Sequence, residues 1–163
     1  MTPRSSTLAT LRADPEFASL CRSLGLYYGD PVRDAAMDAL YARFLVPGAL
    51  AFDVGSHVGD RIGSFRRLGA RVVALEPQPL CVRAIRALYG DDSGVTLVEA
   101  ACGDRPGRLT VHINSANPTI SSASTAFLGA ANGAHNVRIT AATAKMSVHF
   151  CEQLVITRHG FFA

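Results

Sequence analysis

The stretch FDVGSHVGDR (Phe52–Arg61) places an aspartate and two glycines where an apolar run gives way to a helical pattern. The run GALAFDV predicts a buried strand. DRIGSFRRLG predicts a short helix with Ile62, Phe65 and Leu68 on one apolar face, closed by Gly69. Open α/β sheets bind ligands at such a strand-to-helix turn, because the start of the helix presents backbone amides there. We therefore expect this turn to bind a ligand.

The alternation of strand and helix continues beyond the turn. ARVVALE predicts a second buried strand, and PQPLCVRAIRALYG predicts a second helix with Pro79 near its start and its apolar residues facing inward: Cys81, Ala84, Ile85 and Leu88. GVTLVEAAC predicts a third strand and GRLTVHI a further strand. Strand, helix, strand, helix and strand in this order predict a parallel sheet with right-handed crossovers and helices on its faces. The expected fold class is therefore α/β, of the doubly wound, Rossmann-like type.

Two regions flank this α/β core, which we assign to residues 48–125. Residues 1–47 predict a helical flank packed on the core, because Asp30 can cap a helix that has Pro31 at its first position. Apolar residues then recur at helical spacing, namely Met37, Leu40, Tyr41 and Phe44. Residues 126–163 form a divergent C-terminal segment with mixed strand and helix signals.

Composition limits the classes of function. A chain of 163 residues with 48% hydrophobic residues can bury a core, and its net charge of +3 comes from scattered basic residues, which gives no case for nucleic-acid binding. No signal peptide or membrane span is visible, so we expect a cytoplasmic protein with no membrane partner. The four cysteines are Cys21, Cys81, Cys102 and Cys151. Because they contain no CxxC pair, we expect reduced thiols and neither a metal site nor disulfides.

Glycine spacing in the turn distinguishes two kinds of nucleotide site. A dinucleotide fingerprint needs GxGxxG, but with its first glycine at Gly55 the second position is His57. The turn instead reads D-x-G-x-x-x-G from Asp53 to Gly59, and Glu76 closes the second strand. This combination is typical of S-adenosylmethionine sites in class I methyltransferases.

Each part of this combination has a physical role at such a site. The glycines let the backbone approach the amino-acid end of the cofactor, Asp53 supplies negative charge for its ammonium group, and Glu76 can accept hydrogen bonds from both ribose hydroxyls. His57 can equally be a packed polar residue of the turn. The expected cofactor contacts, including two residues at the end of the third strand that would line the adenine, are Asp53, Gly55, Ser56, His57, Gly59, Glu76, Ala101 and Cys102.

The chain resembles the FkbM-like methyltransferases over residues 28–124. The resemblance is carried by LYARFLVPGAL, FDVGSHVGDRIGSFRRLGARVVALEPQP, VEAACGDRPGRLTVHI and NPTISSAS, in the order of the family. It implies a Rossmann-like class I methyltransferase fold, S-adenosylmethionine as cofactor, and methylation of a hydroxyl on a small-molecule or sugar acceptor. It also implies a loop at the mouth of the site with three candidate substrate contacts, Asn114, Asn117 and Thr119. It assigns no catalytic residue.

The chain departs from this family from about Ala126 onward. The family continues with a strand of the type KIDVEG, whose acidic residue lies at the active site, whereas this chain shows only CEQLVITRHGFFA. We therefore expect a truncated sheet whose open edge promotes self-association, and little or no methyltransferase activity. A substitute strand could come from VRITAAT or SVHFCEQLVIT, which bring Glu152 as their acidic residue. The alternatives are a non-catalytic cofactor-binding remnant or interaction module, and an NAD- or nucleotide-binding domain.

Overall fold

The structure, a computed structural model, describes residues 5–103, 105–124, 137–145 and 153–157. The helices are α1 (Ser5–Ala13), α2 (Cys21–Tyr27), α3 (Pro31–Tyr41), α4 (Asp60–Arg67) and α5 (Pro79–Tyr89), with 3-10 helices at Pro15–Leu20 and Pro118–Ile120. The strands are β1 (Leu50–Val54), β2 (Arg71–Leu75), β3 (Val95–Val98), β4 (Ala101–Gly103), β5 (Gly107–Ile113), β6 (Val137–Lys145) and β7 (Gln153–Thr157). None of the helices in these ranges is long and apolar enough to cross a membrane.

Four parallel strands form the main sheet, in the order β3–β2–β1–β7. The chain winds from β1 outward to β3 and then returns to the other side of β1. This is the strand order of one half of a doubly wound sheet plus the first strand beyond its switch point. The predicted α/β, Rossmann-like fold is therefore confirmed.

The strand β7 corrects the expectation that the edge of β1 stays open. Leu50 pairs with Gln153 and Val54 with Thr157, so β7 runs along the whole of β1. The strand comes from one of the two stretches expected to supply a substitute, while Glu152 lies outside the described residues. Self-association through a sheet edge stays a prediction, which within the described sheet now concerns the outer edges of β7 and β3.

A second sheet has the order β4–β6–β5, with β4 parallel and β5 antiparallel to β6. Ala101 and Cys102 lie in β4, so the expectation that they end the third strand is wrong. The main-sheet strand stops at Val98, where the N–H of Ala100 donates back to the Val98 carbonyl (2.9 Å). This tight bend directs the chain out of the main sheet and into the second one.

The helices α4 and α5 cover the main sheet with the apolar faces that the sequence predicts. Gly69, with φ of 79°, ends the turn after α4, and Pro79 is at the start of α5. The core between these helices, α3 and the sheet consists of Tyr41, Leu45, Ala51, Ile62, Phe65, Ala70, Val72, Ala74, Ile85 and Tyr89.

The N-terminal flank packs on α5 and on the turn after β1. Its carboxylate cap forms as predicted, since Asp30 accepts hydrogen bonds from the N–H groups of Val32 and Arg33. The buried cluster that joins the flank to the core consists of Leu11, Phe17, Leu20, Leu24, Tyr28, Val58, Cys81 and Ala84. The division of the chain at residues 47 and 125 stays a prediction.

The orientation of α3 differs from the expectation of a single buried apolar face. Met37 and Tyr41 pack on the core, but Leu40 and Phe44 are 48% and 61% exposed. The reason is that α3 turns charged residues toward α4, where Asp38 pairs with Arg67 (2.7 Å). Leu40, on the outer side of α3, and Phe44, in the turn after it, therefore remain exposed to solvent.

Candidate functional site

Backbone hydrogen bonds hold the turn after β1 against the end of β2. The N–H groups of Gly55 and Ser56 both donate to the carbonyl of Leu75 (2.9 and 3.1 Å), and Ser56 Oγ donates to the carbonyl of Asp53 (2.8 Å). Gly55 has a φ of 72°, a left-handed conformation that glycine adopts at little cost. The turn and both strand ends therefore form one hydrogen-bonded unit at the carboxyl edge of the sheet, where open α/β sheets bind ligands.

Gly59, the second predicted glycine, is needed for helix packing. A Cβ atom there would lie 3.1 Å from Tyr89 Cε2 and 3.2 Å from Ile62 Cδ1, and the residue has a φ of 80°. A side chain would therefore strain the backbone and push the turn away from α5. The close packing at Gly59 thus explains the glycine without any contact to a cofactor. Contact of Gly59 with the cofactor stays a prediction.

Glu76 lies directly against the turn and is fully buried. Its Oε2 accepts the N–H of His57 (2.7 Å) and its Oε1 accepts the N–H of Gln78 (2.9 Å). Burial raises the pKa of Glu76 to about 7; the two amide hydrogen bonds work against this rise, and the negative charge of Asp53 adds to it. Glu76 therefore links the turn to the start of α5 and titrates close to neutral pH.

Asp53 is fully buried in β1, and its charge is balanced from α4. Its Oδ1 lies 3.7 Å from Nη1 of Arg61. Arg61 was not predicted from the sequence. A basic residue in the first turn of a helix opposes the helix dipole, and this unfavourable position indicates an acidic partner nearby. The carboxylate predicted to meet the cofactor ammonium thus has a guanidinium beside it.

The side chain of His57 is packed between the flank and α5. Its Nε2 is 2.9 Å from Ser23 Oγ, its Nδ1 is 3.5 Å from Cys81 Sγ, and Tyr27 meets the ring edge-on. The residue is 3% exposed, with a φ of 54° that is uncommon for a non-glycine residue. These contacts favour the packed interpretation of the side chain, while its backbone N–H is the group that meets Glu76.

Cys102 reaches the same edge of the main sheet although its strand belongs to the second sheet. It packs with Val54 and Leu75, the last residues of β1 and β2, and burial raises the pKa of its thiol. Ala101 is buried beside it. Contact of these two residues with an adenine ring stays a prediction.

The loop that contains the three predicted substrate contacts approaches Glu76 through Gln78. The Nε2 of Gln78 donates to the carbonyl of Pro118 (3.4 Å). Asn114 is buried, and its Oδ1 accepts two N–H groups of the loop, including that of Asn117 (2.9 Å). Asn117 in turn accepts the hydroxyl of Thr119, which is exposed. The two asparagines therefore shape the loop, and Thr119 lies at its surface.

Three contacts that the sequence did not predict tie the flank to the turn. Ser23 contacts His57, Tyr28 Oη donates to the carbonyl of Val58 (2.7 Å), and Arg33 pairs with Asp60 (2.7 Å). Such partners are distant in sequence and no local pattern identifies them. Within the described parts of the chain, no group of three or more His, Cys, Asp or Glu residues is placed to hold a metal ion.

Gln78 was missed for a different reason. It is 2% exposed and occupies the N-cap position of α5, immediately before Pro79. A polar residue before a helix-starting proline is a visible sequence signal, but it indicates a helix start and no further role. Only the structure shows that the backbone N–H of Gln78 donates a hydrogen bond to Oε1 of Glu76.

Comparisons with known proteins give partial matches in structure alone. No protein-family model matches this sequence, and no curated protein does. The S-adenosylmethionine-dependent methyltransferase of Geobacter sulfurreducens, solved with S-adenosylhomocysteine, is 21% identical, with a TM-score of 0.38, over 44% of this chain and 30% of that chain. A methyltransferase of Thiobacillus denitrificans, also solved with S-adenosylhomocysteine, gives the same values.

A precorrin-6y C5,15-methyltransferase of Geobacter metallireducens is 25% identical, with a TM-score of 0.36, over 41% of this chain and 36% of that chain. The matched segments thus span between 30% and 36% of the length of these three structures.

Proposed function

We propose that this chain is an S-adenosylmethionine-binding domain of the class I methyltransferase type. The observation that carries this proposal is the hydrogen bond from the N–H of His57 to Glu76 (2.7 Å), which joins the glycine turn to the acidic end of β2. In nucleotide-binding βαβ units these two positions meet one ligand, the acid taking the ribose. The spacing of Gly55 and Gly59 does not match a dinucleotide fingerprint, which disfavours NAD.

The donors and acceptors at this edge fit the cofactor in kind. Glu76 can take ribose hydroxyls, and the first N–H groups of α4 suit a carboxylate. Asp53 can take the ammonium group only by exchanging its partner Arg61, because it is fully buried beside that guanidinium. S-adenosylmethionine, when bound, supplies a methyl group on a sulfonium, so the protein needs mainly to orient it and exclude water. The chain's own residues therefore act by binding and positioning.

Access to Glu76 is the condition that binding must satisfy. A carboxylate has about four acceptor sites, so Glu76 can keep its two amide hydrogen bonds and still accept ribose hydroxyls. The residue is fully buried, however, and Gln78 connects its surroundings to Pro118. We infer that the loop of Asn114 to Ile120 moves aside when the cofactor enters.

The finer part of the proposal is O-methylation of a small-molecule or sugar hydroxyl, which is what the FkbM-like resemblance implies. Its support in the structure is the loop of Asn114, Asn117 and Thr119, which adjoins the candidate cofactor site through Gln78. The acceptor would contact this loop, in which Thr119 offers an exposed hydroxyl group.

The second candidate is a cofactor-binding module without turnover. The observation that favours it is the sequence of β7, QLVIT, which occupies the place beside β1 and contains no acidic residue. The FkbM-like resemblance implies a fourth strand of the type KIDVEG, whose active-site acidic residue β7 lacks. Methyl transfer to a panel of hydroxyl acceptors, measured with labelled cofactor, separates the two candidates: turnover supports the enzyme, and binding without turnover supports the module.

Calorimetric titration of the folded chain with S-adenosylhomocysteine and, separately, with NADH tests the proposal itself. We expect saturable binding of S-adenosylhomocysteine and none of NADH. Binding of NADH in preference would contradict the proposal in favour of a nucleotide-binding domain. A folded chain that binds neither ligand would contradict the cofactor assignment altogether.

A further inference from the structure

The outward side of α3 carries an exposed apolar stripe. We define the α3 stripe as Val32, Ala36, Leu40 and Phe44, the last lying in the turn that continues the helix. Val32 is 77%, Leu40 48% and Phe44 61% exposed, and Ala36 is exposed too. Residues four apart lie on the same side of a helix, so the four side chains form one continuous surface.

The outward side of α3 lacks the charged residues that an ordinary surface helix turns to water. The charges of Arg33, Asp34 and Asp38 are used on the inner side, against Asp60 and Arg67 of α4. The outward residues of this fully described helix are uncharged. Single exposed apolar residues are common, but a contiguous apolar surface marks an interaction site.

We propose that the α3 stripe binds the α3 stripe of a second copy of this chain, as an antiparallel pair around a two-fold axis at Ala36. This axis places residue 32 opposite residue 40 of the second copy, so Val32 meets Leu40 at both ends. Ala35 and Ala39, which are exposed beside the stripe, are small enough for the helices to approach closely. The part of the stripe from Val32 to Leu40 is therefore complementary to itself, as a two-fold interface requires. Phe44 lies beyond this paired part, opposite residue 28 of the second copy.

Charge complementarity at the ends of the helix favours this arrangement. Asp30 at one end and Arg43 at the other are both exposed, and Arg43 forms no ion pair with the described residues. A two-fold axis at Ala36 places Asp30 of one copy opposite residue 42 of the second copy. The Asp30 carboxylate then lies beside the Arg43 guanidinium of that copy. A parallel pair would bring the two Asp30 carboxylates together, which is unfavourable.

A lipid surface suits this face less well than a second copy. Membrane-binding helices surround their apolar face with basic residues, whereas α3 is capped by Asp30 and carries two carboxylates, Asp34 and Asp38, beside one guanidinium, Arg33. Because one pair of short helices buries a small area, we expect a weak dimer with a dissociation constant on the order of micromolar. The inference is independent of the proposed cofactor site.

Sedimentation equilibrium of the full chain over a wide concentration range tests the proposal, with Ala36→Glu as the variant and Ala9→Glu as its control. Ala9 is exposed on α1, so it receives the same substitution on another helix. We expect a monomer–dimer equilibrium whose dissociation constant rises at least about tenfold, ~1.4 kcal/mol, in Ala36→Glu and stays unchanged in Ala9→Glu. Arg43→Glu, on an exposed residue, should weaken the dimer in the same direction.

A disulfide across the two-fold axis tests the proposed antiparallel arrangement of the two α3 helices. Ala36→Cys should give a covalent dimer on mild oxidation, and Ala9→Cys should not, with the unsubstituted chain as background. A wild-type chain that is monomeric at every concentration would overturn the proposal, as would a dimer that Ala36→Glu leaves intact. Flotation with phosphatidylcholine vesicles that Ala36→Glu abolishes would overturn the second copy as occupant.

Discussion

Replacing Glu76 with glutamine should remove the loss of stability that this buried carboxyl causes as the pH rises from about 4.5 to about 7. Burial raises the pKa of this carboxyl from 4.5 to about 7. In that interval the folded chain holds a proton that the unfolded chain has released, so the free energy of unfolding falls as the pH rises. A difference of about 2.5 pKa units corresponds to ~3 kcal/mol, lost at about 1.4 kcal/mol per pH unit.

Urea denaturation at several pH values measures this slope in the wild type, in Glu76→Gln and in the control Glu99→Gln, whose carboxylate is exposed. Asp92, whose pKa the Arg66 hydrogen bond lowers, contributes stability that is lost only at more acid pH, below its ordinary 3.8. We expect Glu76→Gln to lack the fall and Glu99→Gln to keep it. An unchanged slope in Glu76→Gln would refute a neutral, buried Glu76.

Two further substitutions test the turn. Gly55→Val should abolish binding of S-adenosylhomocysteine, because a branched residue resists the φ of 72°; normal affinity in a calorimetric titration would leave the turn with a purely structural role. Gly59→Ala should lower the free energy of unfolding by about 1–3 kcal/mol, because its methyl group would lie 3.1 Å from Tyr89 Cε2, and an unchanged denaturation midpoint would contradict the close contact.

Local signals in the sequence were enough to predict the main-sheet units and the turn. The Asp30 cap, Pro79 at the start of α5 and the apolar spacing of α4 act within a few residues, and each appears in the structure where it was predicted. The proximity of Glu76 to the turn followed from topology, because neighbouring parallel strands end at the same edge.

Features that depend on distant partners could not be predicted. The pairing of β7 with β1 joins residues about a hundred positions apart, and the run QLVIT alone does not select its neighbour. The outward position of Leu40 depends on ion pairs between α3 and α4, such as Asp38 with Arg67. The separate strand of Ala101 depends on a backbone bend between Val98 and Ala100 that the run GVTLVEAAC does not reveal.

The affinity of Glu76→Ala for S-adenosylhomocysteine, compared with that of Glu99→Ala, tests the central claim most directly. Both variants lose one carboxylate, but Glu76 accepts the N–H of His57 and Glu99 is an exposed residue that pairs with Arg86. We expect binding to weaken by about 1–3 kcal/mol in Glu76→Ala and to stay unchanged in Glu99→Ala, each with its fold verified by circular dichroism. Equal, wild-type affinities in both folded variants would contradict a cofactor site at the end of β2.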